Sequence, residues 1–271
     1  ANRMPDPVLQ QVEHFSNPGM TANDSFKPVT KYFDRITRPE QIIQSLPQAI
    51  QTMLDPADTG PACLSLCQDV QGEIFDYPEE FFKERIHNIR RPKPDDFQIK
   101  QAMEKIKKSK KPIIISGGGV FYSDAMDELG SFAIKHNIPV TQTVMGYSTM
   151  KRDHSHFLGP IGGLGGRAAN NLAKETDLAI CVGTKLADFT TGSWANFENP
   201  EFKLVSINIA RHDANKHLAE AVIGDAKVCL SELSNSLGNW KSPDSWHKNS
   251  QDELKSWTEY VDKESGPTNP D

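Results

Sequence analysis

Apolar residues at helical spacing predict one helix in the first third of the chain. Pro39 suits its first turn, and Pro47 predicts a bend because proline removes a backbone hydrogen bond. The apolar run ACLSLC, after a turn at residues 57–61, predicts the one clear strand of this region. The apolar positions of the helix lie three or four residues apart for the most part: Ile42, Ile43, Leu46, Ile50, Met53 and Leu54.

Residues 72–98 differ from the rest, because they combine several prolines with many charges and little glycine. Such a composition is typical of a semi-rigid linker. We therefore expect one domain over residues 1–90 and a second over 91–240. Residues 241–271 are polar and contain Trp246 and Trp257, and Trp240 directly precedes them. They are expected to be a linker or the start of a further domain.

From residue 95 to about residue 237, short apolar runs alternate with helical patterns. Strands alternating with helices favour right-handed βαβ units and a mostly parallel sheet with helices on both faces. The fold class is therefore α/β. The predicted strands are 112–116, 138–143, 178–182, 203–207 and 221–223, and the predicted helices are 96–109, 124–136 (capped by Ser123), 167–176 and 226–237.

Composition narrows the function classes. The formal charge of −6 and a pI near 5.8 argue against nucleic-acid partners. A mean hydropathy of −0.54, without a long apolar run, argues against a membrane partner. The four cysteines include no C-x-x-C pair, so we expect neither a disulfide framework nor a zinc site, and a cytoplasmic location. The start at Ala1, inside a polar proline-marked stretch, indicates a piece of a longer chain.

Two glycine-rich loops are the candidate binding elements. Gly117, Gly118 and Gly119 follow a predicted strand, and Gly165 and Gly166 close a second loop before a helix. Backbone amides at such positions can cradle an anion at a helix N-terminus. The same glycines can equally make only the tight turn. We expect a relic anion pocket at most, without a tight ligand.

Two other motifs are weaker evidence for a binding site. The run from Gly163 to Ala168 matches G-x-G-x-x-A, with Asp188 at the spacing of a dinucleotide fingerprint, but a loop precedes it where that fingerprint needs a strand. The triplet Gly224-Asp225-Ala226 resembles the start of a metal-diphosphate G-D-G motif, yet its third glycine and the following asparagine are missing.

The histidines and nucleophilic residues do not form a recognisable metal or catalytic motif in the sequence. His154 and His156 form H-x-H without a marked third ligand, so a solvated pair is expected rather than a metal site. The adjacent Glu13 and His14 form a carboxylate–imidazole pair of a kind that composition alone often produces. No Gly-x-Ser-x-Gly elbow is present. We therefore assign no catalytic residue and no metal ligand.

Several segments in order resemble the thiamine-diphosphate-dependent enzymes. The early segments resemble the end of the family's pyrimidine-binding domain: PVLQQVEHF, FKPVTKYFDRITRPEQI and GPACLSLCQDV. The later ones resemble its six-stranded, Rossmann-like central domain: KKPIIISGGGV, IPVTQTVMGYSTM, FLGPIGGLGGRAANN, TDLAICVGTKLADFTTGSW, KLVSINIA and VIGDAKVCLSEL. A narrower similarity, to the trihydroxycyclohexane-1,2-dione hydrolases of myo-inositol catabolism, is found in three segments: PDPVLQQVE, FKPVTKYFDRITRPEQ and QDVQGEIFDYPEEFF.

The resemblance implies a fragment of an enzyme that uses thiamine diphosphate and Mg²⁺ to open a cyclic 1,2-diketone by C–C cleavage, giving 5-deoxy-glucuronate. The family's catalytic glutamate and its G-D-G motif match no part of this chain, so no catalytic or cofactor residue is carried over. The chain alone is expected to be inactive and to bind no cofactor. The complete enzyme is expected to be a homodimer or homotetramer acting on a small cyclic diketone.

Two alternatives remain. The flavin-bearing acetohydroxyacid synthase branch of the family uses loops that correspond to Gly117–Gly119, 159–166 and 185–192. The third loop lacks that branch's arginine pair, so flavin binding is not expected. The other alternative is a free-standing NAD-binding or regulatory module.

Overall fold

The computed structural model describes Asn17 and residues 20–266. The chain divides into two compact units, residues 1–90 and residues 91–271. The pair Glu13 and His14 lies outside the described residues.

The first unit contains a two-stranded parallel sheet, β1 (Tyr32–Ile36) and β2 (Ala62–Leu66), with Phe33 opposite Cys63. Helix α1 (Ile42–Leu54) connects the strands, packs on both and continues through Pro47. Strand β1 was not predicted, because its polar pair Asp34-Arg35 interrupts the apolar pattern. Short 3₁₀ helices occupy Ala22–Val29, Pro39–Gln41, Val70–Gly72 and Glu79–Phe82.

The second unit contains a six-stranded sheet in the order β5-β4-β3-β6-β7-β8. All of its strand pairs are parallel, which confirms the predicted fold class. The edge strand β5 was missed, because its Gly-Pro end resembles a loop. The strands are β3 (Pro112–Ser116), β4 (Val140–Gln142), β5 (Phe157–Pro160), β6 (Leu178–Val182), β7 (Lys203–Asn208) and β8 (Glu220–Ile223).

Helices cover both faces of this sheet. One face packs against α2 (Asp96–Lys108), α3 (Gly118–Tyr122), α4 (Met126–His136) and α8 (Ala226–Leu237). The other packs against α5 (Arg167–Glu175) and α9 (Asp244–Glu264). Two short helices, α6 (Asp188–Thr191) and α7 (Arg211–Ala214), follow β6 and β7.

Ser123 does not cap the helix predicted to begin at residue 124. Residues 118–122 form the separate helix α3, and Ser123 ends it, followed by Asp124 at a φ of 53°. Helix α4 begins only after Ala125. The Ser123 hydroxyl instead accepts a hydrogen bond from the amide of Ala226 (3.3 Å). The prediction failed because the glycines allow a helical turn to start directly after the strand.

Most of the segment from residue 241 onward forms helix α9, which ends at Glu264 and contains Trp246 and Trp257. Trp246 is 3% exposed, and its indole Nε1 donates to the carbonyl of Pro112 (2.8 Å). The guanidinium of Arg167 lies over the rings of Trp257 and Tyr260, 5.5 and 5.0 Å from their centres. Residues 244–264 therefore pack on the second unit. The assignment of residues 241–271 to a linker or a further domain stays a prediction.

Candidate functional site at the carboxyl edge of the sheet

The chain order defines a switch point between β3 and β6. From β3 the chain proceeds to β4 and β5 on one side, and then crosses to β6, β7 and β8 on the other. The loops that follow β3 and β6 therefore leave the sheet in opposite directions. Open α/β sheets bind ligands at the carboxyl ends of the strands at such a point.

Gly117, Gly118 and Gly119 lie at this switch point. The amide of Gly117 donates to the carbonyl of Val182 (2.8 Å), and that of Gly119 to Gly183 (2.9 Å). A Cβ on Gly119 would lie 2.6 Å from the Cα of Gly183, and one on Gly117 would lie 2.4 Å from the Gly183 carbonyl oxygen. Glycine is therefore required for the close approach of two loop backbones, which also uses two of the amides.

Gly165 and Gly166 lie in the loop between β5 and α5. Their amides donate to the carbonyls of Gly162 and Pro160, both at 2.9 Å. Gly166 is the residue before the first turn of α5, and a Cβ there would lie 2.9 Å from the indole nitrogen of Trp257. Backbone and side-chain contacts within the unit thus account for both glycines.

Both glycine loops contact the segment after β6, at different places. The loop after β3 packs on its beginning at Gly183, while the amide of Gly163 donates to the carbonyl of Phe189 (2.8 Å) in α6. Asp188 is the first residue of α6 and lies six residues after the end of β6. The structure thus brings both predicted loops to one edge of the sheet.

An apolar rim surrounds this edge. Its side chains follow the carboxyl ends of four strands, and each is at least 56% exposed: Phe121, Tyr122, Val144, Met145, Tyr147, Leu164 and Phe189. Exposed apolar side chains collected in one place mark interaction surfaces more often than scattered ones do. Sequence reasoning missed the rim, because its residues follow four different strands and lie far apart in the chain.

A buried acceptor lies at the same edge. Gln142 ends β4 and is 6% exposed, and its Oε1 has no hydrogen-bond partner among the described residues. Its neighbour on β3, Ser116, bonds the hydroxyl of Thr149 (2.7 Å) and the carbonyl of Thr141 (3.1 Å). Buried side-chain acceptors are usually bonded, so this atom is an exception in an otherwise paired region.

The triplet Gly224-Asp225-Ala226 forms the start of α8. The Asp225 carboxylate accepts from the amides of Lys227 (3.1 Å) and Val228 (3.4 Å). It also pairs with the guanidinium of Arg91 (3.1 Å) and is 5% exposed. A helix cap and an ion pair with the partly exposed Arg91 account for this carboxylate.

His154 and His156 are not the solvated pair that was expected. His156 is buried and stacks on His247 of α9, with ring centres 4.1 Å apart, while His154 lies 5.8 Å away. Burial and the two neighbouring histidines lower the pKa of His156 to about 4. The expectation was wrong because the third histidine comes from a distant helix that packs beside β5. Among the described residues, no group of three His, Cys, Asp or Glu side chains is arranged to hold a metal.

Comparison with known proteins identifies the class to which the second unit belongs. Residues 99–233 match the family profile of the thiamine pyrophosphate enzyme central domain. A solved structure from Mycobacterium smegmatis, of a protein assigned as a thiamin diphosphate-dependent enzyme, has the same fold. The two chains align with a TM-score of 0.65 and 23% identity, over 84% of this chain and 43% of that one. The chain therefore contains the central domain of a thiamine pyrophosphate enzyme.

Curated relatives show a more specific sequence similarity. The chain is 47% identical over 259 residues to the 3D-(3,5/4)-trihydroxycyclohexane-1,2-dione hydrolase of Clostridium perfringens (strain 13 / Type A). It is 46% identical over 263 residues to the hydrolase of the same name from Clostridium botulinum (strain Eklund 17B / Type B). These matches cover 96% and 97% of this chain but only 40% and 41% of the relatives.

The segment Gly224-Asp225-Ala226 does not fit the metal-bound diphosphate of thiamine diphosphate. Its carboxylate, on Asp225, already caps α8 and pairs with Arg91.

In the part of the chain that the structure describes, no helix has both the length and the apolar character of a membrane span.

Proposed function

We propose that this chain is part of a thiamine-diphosphate-dependent hydrolase that opens trihydroxycyclohexane-1,2-dione to 5-deoxy-glucuronate in myo-inositol catabolism. The observation that carries the proposal is the 47% identity to a hydrolase of that name over 96% of this chain. The relatives extend well beyond the matched part. The residues that bind thiamine diphosphate and Mg²⁺ accordingly belong to other parts of the complete enzyme.

The test uses the complete natural protein that contains this chain. Purified with thiamine diphosphate and Mg²⁺, it should convert the cyclic diketone to 5-deoxy-glucuronate, followed by mass spectrometry. Pyruvate, the substrate of the acetohydroxyacid synthase branch, is the matched control. Turnover of pyruvate without turnover of the diketone would contradict the proposal.

The 271-residue chain alone is proposed to be inactive and to bind no thiamine diphosphate. The engagement of Asp225 in the α8 cap supports this, as does the acidic net charge of −6. Calorimetry with thiamine diphosphate and Mg²⁺ tests it. Saturable binding at or below roughly 100 μM, about −5.5 kcal/mol, would show a cofactor site within the chain.

The five glycines of the candidate pocket are proposed to serve close packing rather than ligand binding. The donation of the Gly117, Gly119, Gly165 and Gly166 amides to backbone carbonyls supports this function. Calorimetry with FAD, NAD and ADP decides the question for the isolated chain, because a micromolar response to any of them requires a nucleotide site.

The complete enzyme is proposed to be a cytoplasmic homodimer or homotetramer. The four cysteines, all without disulfides, support a reducing compartment. Light scattering of the complete protein measures its oligomeric state, and a monomer at micromolar concentration would exclude the proposed assembly.

A further inference from the structure

Three histidines connect helix α9 and the chain before it to the sheet. We call His136, His156 and His247 the histidine seam. His136 ends α4, His156 directly precedes the edge strand β5, and His247 lies in the first turns of α9. None of them belongs to the carboxyl edge described above.

The contacts of His136 hold the connection between α8 and α9. Its Nδ1 donates to the carbonyl of Trp240 (2.7 Å), and its Nε2 lies 3.2 Å from the hydroxyl of Ser234. The amide of Ser242 donates to the His136 carbonyl (2.9 Å). The ring is fully buried, so a positive charge there would lose its hydration.

The contacts of His156 hold the beginning of α9. Asp244 accepts from the Nδ2 of Asn137 (3.0 Å), which directs the Asn137 oxygen to the Nε2 of His156 (3.3 Å). The other ring nitrogen of His156 lies 3.0 Å from the Ser155 hydroxyl. The stacked ring of His247 completes a closed set of contacts between β5, the end of α4 and α9.

Two ring nitrogens in this region, one of His247 and one of the neighbouring His154, have no hydrogen-bond partner among the described residues. The Nδ1 of His247 and the Nε2 of His154 are buried without a hydrogen bond within the described residues. The Nδ1 of His154 accepts from the amide of His156 (3.2 Å). Within the seam, the Nδ1 of His247 therefore has no acceptor for a further proton among the described residues, whereas both ring nitrogens of His136 and of His156 lie beside an oxygen.

Taken together, burial and the charged groups around the seam disfavour protonation of its histidines. Lys135 on α4 and Lys241 in the connection lower the pKa of His136, although burial is the larger cause. Burial also lowers the pKa of His247, against which Asp244 of α9 acts in the opposite direction. His154 and His247 are the neighbours that oppose a charge on His156. One carboxylate therefore faces several cations once the imidazoles are charged.

We propose that the histidine seam is an acid-sensitive clasp, which holds the start of α9 and the connection before it on the sheet at neutral pH and releases them on acidification. The release is local. The central strands β3 and β6 contain no Asp, Glu, His, Lys or Arg, so acid introduces no charge into the middle of the sheet.

Hydrogen exchange of the whole chain between pH 7.5 and 5.0 tests the clasp, with protection corrected for the intrinsic exchange rate. A shift of the His156 pKa from 6.5 to about 4 favours the released state about thirtyfold at pH 5. We therefore expect protection of residues 244–257 to fall at least tenfold, while that of β3 and β6 stays unchanged. Unchanged protection of α9, or simultaneous loss in β3, would overturn the proposal.

A double variant isolates the cause. His156→Gln keeps a hydrogen-bonding amide and His247→Phe keeps the stacked ring, and neither side chain takes up a proton. The pH response of α9 should shrink below threefold, whereas the exposed control His212→Gln should behave as the unmodified chain does. A full response in the double variant would overturn the clasp.

NMR of the unmodified chain needs no variant. The seam histidines should titrate below the ordinary range of an imidazole, because burial lowers the pKa of each. The indole N–H of Trp246, which loses its bond to Pro112 on release, should change over the same pH range. Titration of the histidines with no change at Trp246 would overturn the proposal.

Discussion

Both units of this chain place a helix between parallel strands, yet they bury their strands very differently. In the first unit most residues of β1 and β2 are half-buried. In the second unit every residue of β3 and of β6 is buried. The difference shows that a parallel strand becomes core only when helices cover both faces and neighbours pair both edges.

The cores follow the same division. In the first unit Ile36, Cys67 and Val70 form a small buried cluster with Ile42 against it. In the second unit, large clusters lie on both faces of the sheet, because alternate residues of β3 point to opposite sides: Ile114 to one, Ile113 and Ile115 to the other. We expect the second unit to dominate the stability of the chain.

The largest effect is expected from truncation of a central strand residue. Ile114→Ala should lower the free energy of unfolding by about 4 kcal/mol, because the cavity is closed on all sides. The matched change Ile42→Ala, at a half-buried position of the first unit, should cost about 1 kcal/mol. Urea unfolding followed by circular dichroism measures both. Equal losses would remove the distinction between the units.

A somewhat smaller effect is expected from the buried cap of α8. Asp225→Ala removes the acceptor for two amides and leaves the partly exposed Arg91 without its carboxylate, so we expect a loss of about 2.5 kcal/mol. Asp55→Ala in the first unit removes a partly buried acceptor for the amides of Ala57 and Asp58 and should cost about 1 kcal/mol. Thermal unfolding compares them. A larger loss at Asp55 would contradict the comparison.

A third contrast concerns glycine. Gly119→Ala places a Cβ against the backbone of Gly183 and should cost about 2 kcal/mol. Gly72→Ala in the first unit meets nothing within 4 Å and should stay within about 0.5 kcal/mol of the unmodified chain. The midpoints of urea unfolding decide. A neutral Gly119→Ala would show that the two loops do not pack closely in solution.

The smallest expected effect is chemical and leaves stability unchanged. Burial raises the pKa of the Cys229 thiol to about 12 and also raises that of Cys181, so both should resist iodoacetamide at pH 8. Cys63 in the first unit is only partly buried and should be labelled first. Peptide mass spectrometry identifies the modified residue, with Cys63→Ser as the control. Early labelling of Cys181 would indicate an open second unit.

Much of the second unit could be predicted from the sequence, because its strands are short apolar runs that only a buried sheet accommodates. Strands β3, β6, β7 and β8 occur within one or two residues of their predicted bounds. The strands that were missed, β1 and β5, carry charges or glycine and proline. Edge and half-buried positions tolerate those residues, so their pattern resembles a loop.

The candidate site was predictable only in part. The two glycine loops were located from the sequence, because glycine beside a strand marks a turn or a close approach. The partners of Gly117 and Gly119 were not predictable, since Gly183 comes from the far side of the switch point. The apolar rim and the unpaired oxygen of Gln142 also depend on which loops share an edge.

The sequence by itself determined the α/β class, the run of central strands and the likeness to thiamine pyrophosphate enzymes, because apolar periodicity and ordered segments are local properties of the chain. Only the tertiary structure decided that His156 meets His247, that Asp225 meets Arg91 and that the glycine loops converge after β6. The physical reason is the parallel sheet: its crossovers bring together residues that are far apart in the chain, and no local pattern records which of them become neighbours.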